Sequence, residues 1–188
     1  MDEHEKPLRA DARRNRTRVL EAAEAVFADQ GVGVSTQEVA RAAGVGIGTV
    51  FRHFPTKEAL LEAVLVERMR GLVEDARAAA GRPDVGVAVF GFLEHVIGQS
   101  AAKNAFADAL AGAGVDVAGV FAEVREEFLT AIEVLVRRAR DEGTLRGDVG
   151  VSEVVAVLVG ASHAVRWAPP EARANTVAVI LDGLRPRG

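Results

Sequence analysis

Apolar residues recur along this chain at intervals of three and four with no sustained alternation, a pattern that predicts helix after helix. Val19, Ala22, Ala23, Val26 and Phe27 stripe a first helix that Gly31 is placed to end. Val39 and Ala43 stand one turn apart on a second, and Val50, Phe51 and Phe54 mark a third. Leu60, Leu61, Val64, Leu65, Met69 and Leu72 belong to a long fourth, capped by Thr56 and ending near Gly81-Arg82-Pro83. Asp84 can cap a fifth, which Val87, Val89, Phe90, Phe92, Leu93, Val96 and Ile97 encircle; a helix apolar nearly all round is buried. A short sixth is expected around Phe106 and Leu110, broken at Gly112 and Gly114. A long amphipathic seventh carries Phe121, Val124, Phe128, Ile132, Leu135 and Ala139, with Gly143 beyond its end. The last two, over about residues 151–167 and 170–184, are separated by Pro169-Pro170 and should pair antiparallel. The pattern thus predicts an all-α chain of about nine helices, without an internal repeat.

The densest local signal lies between Ser35 and Lys57. Ser35 followed three residues on by Glu38 is a capping box, so a helix starts there. Ala40 is small enough to let another helix approach closely, and Gly44 ends the helix where left-handed backbone costs glycine little. Val45 plugs the turn, and Val50, Phe51 and Phe54 dock the next helix. Gly46, Ile47, Gly48, Thr49 and Arg52 remain on or near its outer side. Two short helices joined this way have the layout of a DNA-reading helix-turn-helix. An ordinary αα-hairpin would carry similar small residues, so the flanking sequence has to separate the two.

Charge does part of that. The whole chain has a net charge of −4. Yet residues 6–57 hold nine Lys or Arg against five Asp or Glu, and residues 58–188 hold fourteen against nineteen. Arg9, Arg13, Arg14, Arg16 and Arg18 crowd the start of the first helix. A basic end on an acidic chain is the footprint of a protein that meets a polyanion, although a solvated basic helix face looks similar. The shift in charge and pattern suggests a DNA-binding domain at 1–57 and a second helical domain at 58–188. No cysteine is present, which excludes disulfides and thiolate metal sites. The N-terminal residues lack an apolar signal segment and the apolar runs are short, so a cytoplasmic protein that does not span a membrane is expected.

The segment from about Arg13 to Met69 resembles the DNA-binding domain of the tetracycline-repressor (TetR) family of bacterial transcriptional regulators. The resemblance rests on the Val19 to Phe27 helix, Gly31, Thr36, Glu38-Val39-Ala40, Ala43-Gly44-Val45, Gly48-Thr49-Val50-Phe51, His53-Phe54 and Lys57-Glu58-Ala59-Leu60. It implies a three-helix DNA-reading unit, a long connecting helix, and a helical C-terminal domain that dimerises and usually binds an inducer. By the same resemblance Thr36 meets a phosphate, and Gly46, Ile47, Gly48 and Thr49 face the major groove of duplex DNA. His53 and Lys57 would clamp the phosphate backbone. Two departures stand out: a hydroxyl residue usual after the turn is Gly46 here, and a usual tyrosine is Phe51. Arg52 can compensate through guanine or phosphate, and Ile47 suits a thymine methyl or is a packing residue.

The last two helices are apolar on more than one face. A homodimer explains this, with Val154, Leu158, Ala161, Val165, Val177, Ile180, Leu181 and Leu184 at a four-helix seam on a pseudo-palindromic operator. Alternatively, the fourth and seventh helices cover the surplus. A small-molecule effector site is expected from Phe92, His95 and Gln99 on one stripe, with Phe106, Phe121, Phe128 and Trp167 lining the same interior; plain core packing would use the same aromatics. Asp108 and His163 could line the same interior, although His163 also suits the dimer seam. No catalytic role and no cofactor is expected. His4, His53, His95 and His163 are too scattered for a metal site, no phosphate-binding glycine loop or nucleophile elbow occurs, and Glu126-Glu127 suits a solvated face. The expected function is a transcriptional regulator, a repressor released by a ligand; a helical adaptor without an effector site is the alternative.

Overall fold

A computed structural model describes residues 5–186, with side chains from Asp11 onward except that of Ala102; His4 and the Arg9 side chain lie outside the described residues. Among the described residues eight α-helices run in order: α1 (Glu5–Gln30), α2 (Thr36–Ala43), α3 (Ile47–His53), α4 (Lys57–Gly81), α5 (Val85–Gly112), α6 (Val117–Asp141), α7 (Val151–Trp167) and α8 (Arg173–Asp182). A 3-10 turn at Pro170–Ala172 leads into α8, and the described residues contain no strand.

The separate short helix expected around Phe106 does not exist: α5 runs unbroken to Gly112. Ala101, Ala105, Ala107, Ala109 and Ala111 supply the best helix-forming residue nearly every second position, and no proline or glycine interrupts them. The break comes at Gly114, whose φ of 80° is left-handed. By length and composition alone α5 could cross a membrane, yet Val89, Phe90, Leu93, Ile97, Phe106 and Leu110 are buried in protein.

The chain forms two compact units that do not follow a single cut at residue 57. One contains the residues up to Glu67 together with Asn104–Val120, and the other Arg68–Lys103 together with Phe121–Gly188. In the first, α1 packs on α2 and α3, and Val19, Ala23 and Phe27 of α1 are buried, as are Val39, Ala40 and Val50 of the motif. Phe106 joins this core, its ring edge-on to Phe27 with centroids 5.7 Å apart. The core of the second combines the C-terminal part of α4, the N-terminal part of α5, α6, α7 and α8. There Arg138 of α6 donates to the Ala80 carbonyl at the end of α4, satisfying a helix-end acceptor.

The capping box is present as the sequence implies. The Glu38 amide donates to Ser35 Oγ at 3.3 Å, and the Ser35 amide donates to Glu38 Oε2 at 3.2 Å. The Ser35 hydroxyl also donates to Glu38 Oε2 at 3.0 Å, and this bond, with that from the Ser35 amide, holds the Glu38 carboxyl below the ordinary carboxylate range. Ser35→Ala should therefore cost about 1 kcal/mol of stability, measured by urea unfolding, since it strands a helix-end amide. An unchanged midpoint would mean water replaces the cap without loss.

Candidate nucleic-acid interface

Three local features set the angle between α2 and α3. Gly44 closes α2 at φ 64°, and its amide bonds back to the α2 carbonyls. Arg18 of α1 donates to the Ala43 carbonyl at 2.8 Å, so the turn is tied to the supporting helix. A Cβ on Gly44 would come within 3.2 Å of that same guanidinium. Val50, fully buried, then anchors α3 from beneath.

The basic run ahead of the motif is accordingly not one uniform patch. Arg18 is structural, the Arg16 guanidinium lies 5.2 Å from the centre of the Phe54 ring, and Arg14 pairs with Asp11. The charge that looked from the sequence like a polyanion contact is thus partly spent inside this unit.

On α3, Gly48, Phe51 and Arg52 are exposed, while Ile47, Thr49 and His53 are half-buried; Gly46 stands exposed at the N-cap without a side-chain cap. Thr36 and Lys57 are half-buried at the first positions of α2 and α4. The start of α4 is held by the Ala59 amide donating to Thr56 Oγ1 at 3.1 Å. The structure therefore brings Gly46, Ile47, Gly48, Thr49, Phe51, Arg52 and His53 together on one short helix and its cap, with Lys57 beginning the next. Exposed Gln37 and Arg41 on α2 were not singled out from the sequence. Arg41 lies 3.9 Å from Glu38, a loose surface pair that leaves it available to a phosphate.

The expected effector residues do not share one interior. Phe92 and Phe128 do meet, with ring centroids 6.4 Å apart, and half-buried Phe121 packs against the same core. His95 Nε2 lies 3.4 Å from Asp75 Oδ2, both side chains about half exposed. Gln99 is exposed. Phe106 is committed to the Phe27 core of the other unit, and Trp167 is 85% exposed at the end of α7. A groove of about 530 Å³ lies between α4 and α5, lined by Asp75, Ala88, Gly91, Phe92 and His95 among others. Lys103, one turn beyond Gln99, is half-buried, and desolvation lowers its pKa.

The expected seam residues are also divided. Val154, Leu158, Ala161, Leu181 and Leu184 are already buried in their own chain's core, whereas Val165, Val177 and Ile180 are half-buried. Apolar residues on every side of α7 gave no periodicity to tell core from surface. The outward face carries Ala156, Val159, Gly160, His163 and Trp167 at helical spacing, flanked by exposed Ser152, Glu153 and Arg166, with Val179 exposed on α8.

A capped helix, a glycine turn and a short exposed second helix, on an all-helical chain, define a helix-turn-helix DNA-binding regulator. Residues 19–64 match the family described as "Bacterial regulatory proteins, tetR family", and residues 84–186 match "Transcriptional regulator SbtR-like, C-terminal domain". The HTH-type transcriptional regulator SrpR of Pseudomonas putida is 31% identical over 80% of this chain and 73% of its own. A TetR regulatory protein from Mycobacterium vanbaalenii superposes with a TM-score of 0.78 at 43% identity, covering 96% of this chain and 100% of that one. A TetR regulator from Streptomyces coelicolor gives 0.74 at 30% identity, over 92% and 99%. This chain belongs to the TetR family of transcriptional regulators; it is a DNA-binding protein and not an enzyme.

Proposed function

We propose that this regulator acts in the cytoplasm as a two-fold dimer on a pseudo-palindromic operator, and that a mostly apolar small molecule releases it as a repressor. The observation that carries the DNA role is the exposed face of α3, with Arg52 outward and His53 and Lys57 at its far end. Lys57 and His53 act on phosphate, and so set affinity without reading bases. Lys57→Ala should weaken binding to every duplex alike and flatten the log-log salt dependence by about one unit, read from gel shifts across a salt series on the protein's own promoter region. A lost sequence preference at unchanged slope would assign Lys57 to a base instead.

The exposed stripe on α7, continued by Val179 of α8, supports dimerisation through the last two helices. A two-fold axis sets each copy's stripe against its counterpart. His163 fits this face: its Nδ1 is 3.0 Å from the Val159 carbonyl oxygen, leaving the rest of the ring outward. Two α3 helices must then stand about 34–36 Å apart to enter successive major grooves. Release follows when a ligand binds the conformation with the wrong spacing more tightly than the right one.

For that ligand the α4–α5 groove is the best-supported position, with Phe92, backed by Phe128, as its apolar wall and the His95–Asp75 pair as its polar end. Ala88→Trp, which fills the groove, is expected to change induction while leaving ligand-free operator affinity as it was. Titration of a promoter-bound complex with metabolites of the neighbouring genes measures this. Wild-type induction in the Ala88→Trp protein would move the site out of the groove.

A further inference from the structure

From the make-up of α3 we infer that each operator half-site is read mainly through the C5-methyl groups of thymines, by Ile47 and Phe51; this rests on α3 being the DNA-reading helix. In the major groove, adenine is recognised by paired hydrogen bonds from Asn or Gln, cytosine by an acceptor such as Asp or Glu, and guanine by Arg or Lys. The residues of α3 are Ile-Gly-Thr-Val-Phe-Arg-His, so it holds no amide and no carboxylate. Arg52 is the exposed side chain of α3 suited to guanine, and Thr49, like Ile47, is half-buried. Beyond these, exposed Phe51 and half-buried Ile47 are the apolar side chains that α3 can turn to a base edge.

Phe51 is 44% exposed on a helix whose neighbouring positions Val50 and Phe54 are buried, so its ring is not needed to fill the core of its own unit. Ile47 stands four residues earlier and therefore on the same face. Gly48 lies between them, and glycine inside a helix is a destabilising choice. Among the described residues neither space nor backbone requires it: a Cβ at Gly48 or at Gly46 meets no atom within 4 Å, and neither residue has the left-handed backbone that favours glycine. Their effect is to keep the ground beside Ile47 and Phe51 clear, so that base edges can come into van der Waals contact with both. Thymine's methyl is the apolar group that the major groove presents. Positions four apart rise about 6 Å along the helix, so the two methyls lie within about two base steps of each other.

Full-length protein is used to select sites from a random duplex pool, and each thymine of the selected half-site is then replaced by deoxyuridine, which removes only the methyl. Binding is measured by fluorescence anisotropy. About a four-fold loss is expected at each of two neighbouring positions, the worth of one buried methyl group, and no loss at other thymines. Ile47→Ala should abolish the sensitivity at one position and exposed Phe51→Ala at the other. Half-sites selected without a fixed thymine, or tight binding indifferent to every deoxyuridine, would overturn the inference while leaving sequence-specific DNA binding intact. Sensitivity that persists in both variants would assign the effect to duplex stiffness and overturn it as well. Failure to select any sequence would remove the DNA-reading role of α3, and the inference with it.

Discussion

Leu158→Asp is expected to unfold the protein, whereas Val159→Asp, one residue along the same helix, should leave it folded and monomeric. Leu158 is 5% exposed within the core of its own chain, and Val159 is 55% exposed on the outer stripe. A carboxyl at 158 loses the burial of a leucine and brings a polar group into a dry core without a partner. Together these cost about 5 kcal/mol or more, comparable with the lower end of a domain's whole stability. At 159 the same carboxyl stays in water in the monomer and meets its own copy only across a dimer seam. Circular dichroism melts and sedimentation velocity on both variants, with Val179→Glu as a second outer change, make the comparison. A well-folded Leu158→Asp would contradict the packing described for α7. Dimers in both outer variants would place the subunit contact on other helices.

Phe106→Ala should damage DNA binding, although it lies half a hundred residues beyond the motif. Its ring is 1% exposed and meets Phe27 edge to face, inside the unit that carries α2 and α3. Truncating a buried phenylalanine costs about 3–5 kcal/mol. That loss falls on the seat of α1 rather than on the α4–α5 groove. Amide exchange is expected to accelerate across α1 to α3, while operator affinity drops and the groove's response to ligand does not. Phe27→Ala should produce the same phenotype, and the double variant should cost less than the sum, because the two rings share one contact. Wild-type melting with altered ligand response in Phe106→Ala would return this residue to the effector site.

The contrast between Ser35 and Phe106 shows what could be read from the sequence. Ser35, Glu38 and Gly44 act within a few residues of themselves, so cap, helix and turn follow from local chemistry. The outward face of α3 follows only in part: Val50 and Phe54 are buried as read, whereas Phe51, placed with them as a docking residue, is 44% exposed. The all-helical fold was legible from the apolar spacing, and the family from the resemblance of the segment between about Arg13 and Met69. Phe106 was misplaced because its partner is Phe27, far away in sequence, and because an alanine-rich α5 was divided where nothing divides it. On α7 the β-branched residues run all round the helix, so Val154 and Val159 are indistinguishable by spacing. Only neighbours elsewhere in the fold separate core from surface there. The arginines of α1 were legible as charge but not as contacts, since the bond from Arg18 to the Ala43 carbonyl depends on how α1 crosses α2.

The unit that reads DNA is discontinuous, being finished by Asn104–Val120. During synthesis, domains generally fold in order from the N-terminus as they leave the ribosome. Here α1, α2 and α3 emerge long before the residue that closes over Phe27. The first third of the nascent chain therefore holds a recognition helix whose supporting core still has an open side. Only when residue 120 has left the ribosome can this unit be complete, so a polypeptide released early, even one containing all of α1, α2 and α3, lacks the ring that packs on Phe27.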